Sequence, residues 1–284
     1  MIESAEAVNP HAEHQKSLVA LVSNIWTRRS LINQMIKREV VGRYKGSVMG
    51  LAWSLLNPIL MLFVYTIVFS EIFKSRWNGS GQDTSKTQFA LVLFVGLIIL
   101  NLVSEVLNRA PNLIISNVNY VKKVVFPIDI LPVVSMGAAL FHSMVSFLVL
   151  AISFVLFNGY LNWTIIFLPL VLLPLIVMIT GLAWILTSLG VFLRDVGQTI
   201  GILTTIMMFL SPVFYPISAV PEKLRPIIML NPPTFIIEQA REVLIWGHVP
   251  DFLGLGIFMI VAVLVAWIGY AWFQKTRKGF ADVL

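Results

Sequence analysis

The side chains in this sequence that are best suited to chemistry are basic, and they gather directly before the first long apolar segment. Five Lys or Arg residues face a single acid there, and no charged residue then follows from Gly46 until Glu71. The basic residues are Arg29, Lys37, Arg38, Arg43 and Lys45, and the acid is Glu39. Guanidinium and ammonium groups bind phosphate strongly. Beside an apolar segment, this pattern is typical of a helix whose basic face lies near lipid phosphates.

Other reactive sites have little support in the sequence. The chain has no cysteine, which excludes disulfides, cysteine-ligated metals and thiol catalysis. Its four histidines are scattered, so we expect no metal site. They are His11, His14, His142 and His248. The phosphate-binding loop G-x-x-x-x-G-K-[ST] is absent, so the ATP and Mg²⁺ of any active transport must bind to a separate subunit.

The composition indicates an integral membrane protein. Hydrophobic residues make up 58% of the chain, charged residues only 12%, and the mean hydropathy is +0.87. A soluble domain has about twice that charged fraction. We attribute the net charge of +6 to membrane topology and expect no nucleic-acid binding, which needs a basic patch on a folded face. No series of ionisable residues crosses the apolar segments, which argues against a proton-driven carrier.

Charge-free intervals predict six membrane-spanning helices, since each needs about 20 mostly apolar residues. The intervals are 46–70, 87–104, 130–193, 196–221 and 252–274. The third is long enough for two spans, with a turn at 157–163, where Asn and Gly favour a turn and Tyr and Trp suit a membrane interface. The predicted fold class is therefore an all-α integral membrane protein with six transmembrane helices.

The distribution of Lys and Arg predicts the orientation. The segment before the first span (residues 1–45), the second and fourth loops and the C-terminal tail carry 14 of the 20 Lys and Arg residues. The positive-inside rule then places both termini in the cytoplasm. We divide the chain into a cytoplasmic leader at 1–29, a six-span transmembrane domain at 30–274 and a cytoplasmic tail at 275–284.

A membrane enzyme acting on polyprenyl-linked sugars is an alternative to a transporter. Such an enzyme needs a cluster of carboxylates or histidines in its loops. The acids on the predicted external side form no Asp-x-Asp pair, so we expect no enzymatic activity in this chain. They are Asp83, Glu222, Glu238, Glu242 and Asp251.

Three segments outside the spans carry apolar residues that simple connectors would not need. Residues 30–45 have apolar residues at three- and four-residue spacing, which predicts an interfacial helix along the membrane. The loop at 111–126 mixes polar residues with Leu, Ile and Val, and it packs against either its own bundle or a partner. Prolines break the external region at 212–250, which predicts short re-entrant helices, with an amphipathic surface helix as the alternative.

Several motifs taken together resemble a known family. The stretch "REVVGRYKGSVMGLAWSLLNPILMLFVYTIVFSEIF" contains Arg38-Glu39, Arg43-Tyr44-Lys45, Met49-Gly50, Trp53 and Asn57-Pro58. Further matches follow in the family's order: "YVKKVVFPIDILP", "FLRDV", "SPVFY", "LNPPTFIIEQAREVL" and "KGFADVL". From about residue 30 to its end, the chain resembles the membrane subunits of bacterial polysaccharide ABC exporters, of the ABC type-2 family, which serve O-antigen, capsule and teichoic acid export.

The resemblance implies a permease subunit of the bacterial inner membrane. We expect it to act as a homodimer with two copies of a separate ATPase, which binds the ATP and Mg²⁺, and to hold no cofactor itself. The expected substrate is a polyprenyl-pyrophosphate-linked polysaccharide, first of all lipopolysaccharide O-antigen. Capsular polysaccharide and teichoic acid are alternatives within the family, and drugs or small lipids are alternatives within the wider superfamily.

The resemblance also implies roles for individual residues. A coupling helix docked on the ATPase is expected at Ser116, Asn117, Asn119, Tyr120, Lys122 and Lys123. An interfacial gate that receives the pyrophosphate is expected at Arg38, Arg43, Tyr44 and Lys45, for which anchoring at the membrane surface is the alternative. A glycan pathway lined by aromatic rings is expected at Trp53, Tyr65, Phe69, Trp184, Phe209, Phe214 and Tyr215, although aromatics in membrane helices also pack or mark interfaces.

Overall fold

The computed structural model of the chain describes residues 17–72, 86–122 and 126–284, and the regular elements within these ranges are all helical. The α-helices are α1 Leu18–Thr27, α2 Arg29–Arg43, α3 Ala52–Tyr65, α4 Lys86–Arg109, α5 Val118–Lys122, α6 Leu131–Asn158, α7 Leu168–Phe192, α8 Val196–Leu210, α9 Arg225–Met229, α10 Pro232–Arg241, α11 Phe252–Thr276 and α12 Phe280–Val283. Two π-helical turns, Thr66–Ile72 and Glu242–Trp246, continue α3 and α10. The all-helical prediction is confirmed for the described residues.

Within the described ranges, five helical segments are long and apolar enough to cross a membrane. They are Ala52–Phe69, Gln88–Asn112, Ile128–Asn158, Trp163–Phe192 and Phe252–Val283. Apolar α8 has only 15 residues, which span about 22 Å of a hydrocarbon core of about 30 Å. The predicted turn at 157–163 is present, because α6 ends at Asn158 and Gly159 follows with a left-handed φ of 78°. The structure thus shows five of the six predicted spans.

Helix α4 forms the centre of the bundle. Every residue from 89 to 100 is buried, and α3, α6, α7, α8 and α10 pack around it. Helix α3, by contrast, leaves most of its apolar side chains exposed. A helix that is apolar on all faces belongs in the interior, and α4 follows that rule over its first half. Its second half carries the polar residues described below.

Helices α7 and α11 lie close together because small residues meet at their crossing. A Cβ atom added to Gly269 would lie 2.1 Å from the carbonyl oxygen of Gly181, and one added to Gly181 would lie 2.6 Å from the Cα of Ala266. Glycine and alanine at such a crossing let two membrane helices approach to van der Waals contact of their backbones. This contact joins two of the membrane-length helices.

Residues near both ends of the described chain pack into a hydrophobic cluster that is separate from the core around α4. This cluster lies at the same end of the bundle as α2. Phe280 of α12 is fully buried, with its ring 5.5 Å from that of Phe273 and 5.8 Å from that of Phe192. Leu21 of α1 is buried in the same cluster. Asp129 holds α1 by accepting a hydrogen bond from Arg28 Nη1 at 3.1 Å.

The segments predicted as leader and tail both contain packed helices. Within the predicted leader at 1–29, α1 packs against α2 and α11. The predicted tail at 275–284 contains the end of α11 and all of α12, which contacts α5 and α7. The cytoplasmic placement of both segments stays a prediction.

One added methyl group tests the α7–α11 crossing. In Gly269→Ala the new Cβ meets the backbone of Gly181, so the helices must move apart at a cost of about 1–3 kcal/mol. We expect a lower thermal unfolding midpoint in detergent for this variant. Gly256→Ala in the same helix is the matched control, because a Cβ there has no other atom within 4 Å. Equal midpoints for the two variants would contradict the described crossing.

Candidate functional site between α2, α3, α4 and α6

A polar cavity of about 470 Å³ lies between α3, α4 and α6, with the end of α2 at its mouth. Each helix contributes side chains at three- or four-residue spacing, which places them on one helical face. The polar lining comprises Ser54, Asn57 and Tyr65 of α3, Asn101, Ser104, Glu105, Asn108 and Arg109 of α4, and His142, Ser143 and Ser146 of α6. Amides, hydroxyls and charged groups thus share the lining of this cavity with apolar side chains, among them Met61, Phe94 and Ile98.

The motif Asn57-Pro58 lies on the wall of this cavity. Pro58 stands inside α3 and has no N–H to donate, so the carbonyl of Ser54 one turn earlier loses its helical partner. The hydroxyl of Ser54 in turn donates to the carbonyl oxygen of Leu51 at 2.7 Å. The motif that first suggested the family therefore shapes α3 beside the cavity.

A network of two ion pairs between α2 and α4 borders the cavity. Arg109 of α4 binds Glu39 of α2, and Arg43 of α2 binds Glu105 of α4. Arg109 Nη1 also lies 3.6 Å from Glu105 Oε1, so the four charges alternate in sign. Arg43, predicted for the gate, thus lies at the cavity mouth with a carboxylate as its partner.

Sequence reasoning missed Glu39, Glu105 and Arg109 as parts of one site, although a signal exists. Both helices carry the pattern Glu-x-x-x-Arg, as Glu39-x-x-x-Arg43 and Glu105-x-x-x-Arg109. When two copies of this pattern run antiparallel, each Glu faces the Arg of the other helix, because residues four apart share a helical face. The pairing that the structure shows is this antiparallel one.

These ion pairs are partly exposed, with side-chain accessibilities of 36% and 22% for Arg43 and Glu105, and 35% and 26% for Arg109 and Glu39. Pairs of this kind contribute only about 0–1 kcal/mol each, since solvent screens them and side-chain entropy opposes them. The ion pairs between α2 and α4 are therefore weak enough for their side chains to exchange partners.

Two further gate residues lie beside the network. The Tyr44 hydroxyl is 3.4 Å from Nδ1 of His142, with the two rings edge to face at 5.8 Å. His142 Nε2 is buried and has no hydrogen-bond partner among the described residues. Lys45 is exposed. Tyr44 therefore connects the end of α2 to α6, while Lys45 is open to solvent or to headgroups.

The fourth gate residue, Arg38, contacts the predicted coupling segment. Its Nη2 donates to the Tyr120 hydroxyl at 2.7 Å, and the Tyr120 ring stacks on Phe126 at 4.3 Å. Ser116 and Asn117 bond to backbone carbonyls of the preceding turn. Asn119 is exposed, Lys122 ends α5, and Lys123 lies outside the described residues. The structure thereby joins α2 directly to α5.

The predicted pathway aromatics do not form one surface in the chain. Tyr65 lines the cavity, and Phe69 packs on Phe214 with ring centres 6.1 Å apart. Trp53 and Phe209 are exposed, and the Tyr215 hydroxyl donates to the carbonyl oxygen of Phe209. Trp184 is buried, with 2% of its surface exposed, and donates to the carbonyl oxygen of Asp129. A role for these aromatics in a glycan pathway stays a prediction.

At the other end of α4, a buried arginine joins α10 to α4 and to residues 212–213. Arg241 of α10 is 1% exposed and donates to the carbonyl oxygens of Val92 at 3.2 Å, Pro212 at 2.6 Å and Val213 at 3.2 Å. Its Nη1 also binds Glu238 at 2.7 Å. Burial lowers the pKa of Arg241 and raises the pKa of Glu238.

The comparison with known protein families gives the decisive observation. The model of the ABC-2 type transporter family matches residues 30–245, which is most of the chain. The chain belongs to the ABC-2 type transporter family. The match includes the cavity, the ion-pair network and α5, and it leaves out α1, α11 and α12. Family membership together with five membrane-length helices makes this a multi-pass membrane protein, and the resemblance noted in the sequence is confirmed.

Individual ABC-2 relatives align along nearly their whole length. The O-antigen export system permease protein RfbA of Myxococcus xanthus is 25% identical over 93% of this chain and 99% of its own. A protein of the same name from Klebsiella pneumoniae is 25% identical over 89% of this chain and 95% of its own. The polysialic acid transport protein KpsM of Escherichia coli is 24% identical over 90% and 96%.

Removing the buried charge tests whether Arg241 holds residues 212–213 against α4. Arg241→Met leaves three carbonyl oxygens without their donor and Glu238 without its ion-pair partner, so we expect a loss of about 3–5 kcal/mol, read as a lower unfolding midpoint. Arg225→Met is the control, since Arg225 is less buried and donates to two loop carbonyls only. If both variants unfold at the same temperature, the Arg241 contacts do not stabilise the packing of residues 212–213 on α4.

Proposed function

We propose that this chain is the permease subunit of an ATP-driven exporter that moves a polyprenyl-pyrophosphate-linked polysaccharide across the bacterial inner membrane. Lipopolysaccharide O-antigen is the proposed glycan, because two relatives carry the name O-antigen export permease. The observation that carries the proposal is the polar cavity of about 470 Å³ inside the apolar bundle of an ABC-2 family member.

The chemistry of the cavity fits a hydroxyl-rich substrate. Sugar hydroxyls lose their water partners inside a hydrocarbon layer, and each unsatisfied hydroxyl costs several kcal/mol, of order 2–7. Asparagine and serine side chains supply both donors and acceptors in place of that water. Tyr65 adds an aromatic face on which the apolar face of a sugar ring stacks. The volume lies within the range of about 300–1,000 Å³ that is usual for small-ligand pockets.

The proposed assembly has six spans in each of two copies of this chain. Helix α8 is the sixth apolar helix, and its 15 residues together with the turn after Leu210 form the proposed fifth span in chain order. The short helices α9 and α10 lie on the proposed external side and are the proposed re-entrant elements. The exposed apolar residues of α3 and α8 need either lipid or the second copy as a partner, and both termini are placed in the cytoplasm.

The proposed coupling path runs from an ATPase subunit through α5 to α2. Two copies of a separate ATPase would dock on α5 and the turn before it, where Asn119 and Ser116 respectively are exposed. The bond from Arg38 to Tyr120 then transmits a displacement of α5 to α2. Because α2 is bound to α4 by ion pairs at the cavity mouth, that displacement changes access to the cavity.

Deletion of the gene tests the proposed function. We expect lipid-linked glycan to accumulate on the cytoplasmic face and to disappear from the cell surface, with export restored by the gene on a plasmid. Separate gels for lipopolysaccharide and capsule identify which glycan is affected. Normal surface glycan of both kinds in the deletion strain contradicts the proposal, and loss of capsule alone moves it to capsular polysaccharide.

A cavity variant connects that function to the described site. Asn101→Leu replaces an amide of the cavity wall with an apolar side chain of similar size, and we expect export to fall severalfold while membrane levels of the protein stay normal. Asn158→Leu makes the same change at the last residue of α6, which does not line the cavity, and is the control. The amount of surface glycan for each complemented strain is the measurement, and equal export by both variants would argue against this cavity as part of the path.

Removal of one hydroxyl tests coupling. Tyr120→Phe keeps the stack on Phe126 but loses the bond to Arg38, so we expect a lower ATP hydrolysis rate during transport with unchanged binding of the ATPase. Tyr160→Phe, on the loop after α6, is the matched control for loss of a hydroxyl. A Tyr120→Phe complex that transports at the parental rate shows that this bond carries no coupling.

A further inference from the structure

A buried carboxylate lies where the chain returns from α5 to the bundle. Asp129 is 2% exposed and belongs to the short 3₁₀ helix Ile128–Ile130, directly before α6. Its carboxylate accepts hydrogen bonds from Arg28 Nη1 at 3.1 and 3.3 Å and from Asn24 Nδ2 of α1. Trp184 of α7 donates to its backbone carbonyl oxygen at 2.8 Å. Asp129 thus joins the start of α6 to α1 and α7.

Two further side chains, from α11 and the turn after it, lie around the same carboxylate. The Tyr270 hydroxyl accepts a hydrogen bond from Asn24 Nδ2 at 3.3 Å, and Arg277 lies near enough to attract Asp129 electrostatically. Arg28 makes the ion pair at 3.1 Å, and its side chain is 34% exposed whereas that of Asp129 is 1% exposed. The pair therefore has one buried member and one that reaches it from the surface.

We propose that Asp129 is a positioning residue for energy coupling: with Arg28 it fastens the chain that follows α5 to α1 and α2, so that α1, α2 and α5 move as one body. This inference deepens the proposed function and rests on it for the ATPase subunit that acts on α5. Asp129 touches neither glycan nor ATP in this role, and it acts through the position of α5.

Two side-chain bonds, made from separate points along α2, hold the chain around α5. Arg28 directly precedes α2 and binds Asp129, which lies beyond the end of α5. Arg38 follows ten residues later, about 15 Å along a helix, and donates to Tyr120 within α5. One bond alone would let α5 pivot on α2, whereas two separated bonds resist rotation as well as separation. Helix α5 therefore changes its position relative to α2 only if one of the two bonds breaks.

The apolar side of α5 rests on helices from both ends of the described chain. Tyr120, Val121 and Phe126 pack against the hydrophobic cluster that contains Leu21 of α1 and Phe280 of α12. Helix α12 also contacts α5 directly. Apolar contacts of this kind hold the helix against the bundle but tolerate sliding, because hydrophobic burial and dispersion have little directionality. The directional bonds from α2 are therefore needed to fix where α5 lies.

The burial of a charge at this point indicates a role in geometry. Taking a carboxylate out of water offsets much of the attraction in its ion pair, and apolar residues of similar volume often stabilise a core as well or better. What the ion pair adds is direction, because hydrogen bonds to a carboxylate need short distances and good alignment. The charge of Asp129 thus serves the position of its neighbours more than the stability of the bundle.

The ATP consumed per exported glycan, measured with the permease–ATPase complex in proteoliposomes, tests this role. The probe is lipid-linked glycan isolated from the deletion strain. Arg28→Gln removes the charge of the partly exposed partner, so we expect normal assembly of the complex and at least about threefold more ATP hydrolysed per glycan. Arg28→Lys keeps the charge and should restore the parental ratio. Arg29→Gln is the matched control, because Arg29 is exposed and donates to the carbonyl oxygen of Trp26.

A double-mutant comparison assigns the effect to the ion pair itself. Asp129→Asn should raise the ATP ratio in the same way, and Arg28→Gln/Asp129→Asn should be no worse than either single variant, because both changes remove one interaction. Effects that multiply in the double variant, or a parental ratio in Arg28→Gln, overturn the proposal. If Asp129→Asn does not fold, the comparison of Arg28→Gln with Arg28→Lys and Arg29→Gln decides.

A variant at the proposed external side separates lost coupling from lost stability. Thr164→Val removes a buried hydrogen bond to the carbonyl oxygen of Val243. We expect a lower unfolding midpoint for this variant and a parental ratio of ATP to glycan, measured below the unfolding temperature of every variant. If Thr164→Val raises the ratio as much as Arg28→Gln, Asp129 acts through stability alone, and the proposal is overturned.

The absence of native cysteine from the chain allows the common motion to be measured in the complex. Spin labels at Thr27→Cys on α1 and Asn119→Cys on α5, both exposed positions, should keep one distance when ATP is added, and in Arg28→Gln that distance should change. The reference pair Asn119→Cys and Asn158→Cys should change with ATP, since α5 then moves relative to the far end of α6. A parental α1–α5 distance that changes with ATP, or a reference distance that does not, overturns the proposal.

Failure of this inference is distinguishable from failure of the proposed function. Normal surface glycan in the deletion strain contradicts the proposed function. A complex that exports glycan with a parental ATP ratio in Arg28→Gln contradicts the role of Asp129 alone.

Discussion

Two arginine-centred contacts, one at each end of α4, bind segments that are far apart in the chain to this central helix. At one end the buried Arg241 collects carbonyl oxygens from α4 and from the turn after α8. At the other end Arg109 joins α4 to α2. Inside an apolar bundle a guanidinium persists only where several acceptors meet it, so each contact fixes the relative positions of segments that are far apart in the chain. The difference between the two ends is burial: the first is closed to solvent and the second is partly open.

That difference assigns different roles to the two ends. The Arg241 contact costs too much to break in ordinary motion, because it would leave a buried charge and its carbonyl partners unsatisfied. The Arg109 network is screened by solvent and rearranges at low cost. A cavity lies beside the second contact. In the proposed function, the Arg241 end holds its shape and the Arg109 end responds to substrate and ATPase.

Much of the architecture could be predicted from residue types alone. The five membrane-length helices, the turn after Asn158 and the helical segment before the first span follow from charge-free intervals, from glycine and from apolar spacing. The family motifs, taken together, predicted the ABC-2 type assignment that the comparison confirms. Prolines at 212–233 likewise predicted short elements there, and α9 and α10 are short helices. These features depend on neighbours in sequence, which is why sequence patterns report them.

The sequence by itself determined the class of the protein, its apolar helices and the basic segment that borders the first of them. Only the tertiary structure decided which charges meet. The two Glu-x-x-x-Arg patterns are visible in the sequence, but their pairing depends on α2 and α4 lying antiparallel and adjacent. Trp184 looked like a pathway aromatic and is buried, while α1 and α12 looked like leader and tail and are packed. Each of these features depends on which helices become neighbours. Local spacing and hydropathy carry no information about contacts between segments that are far apart in the sequence.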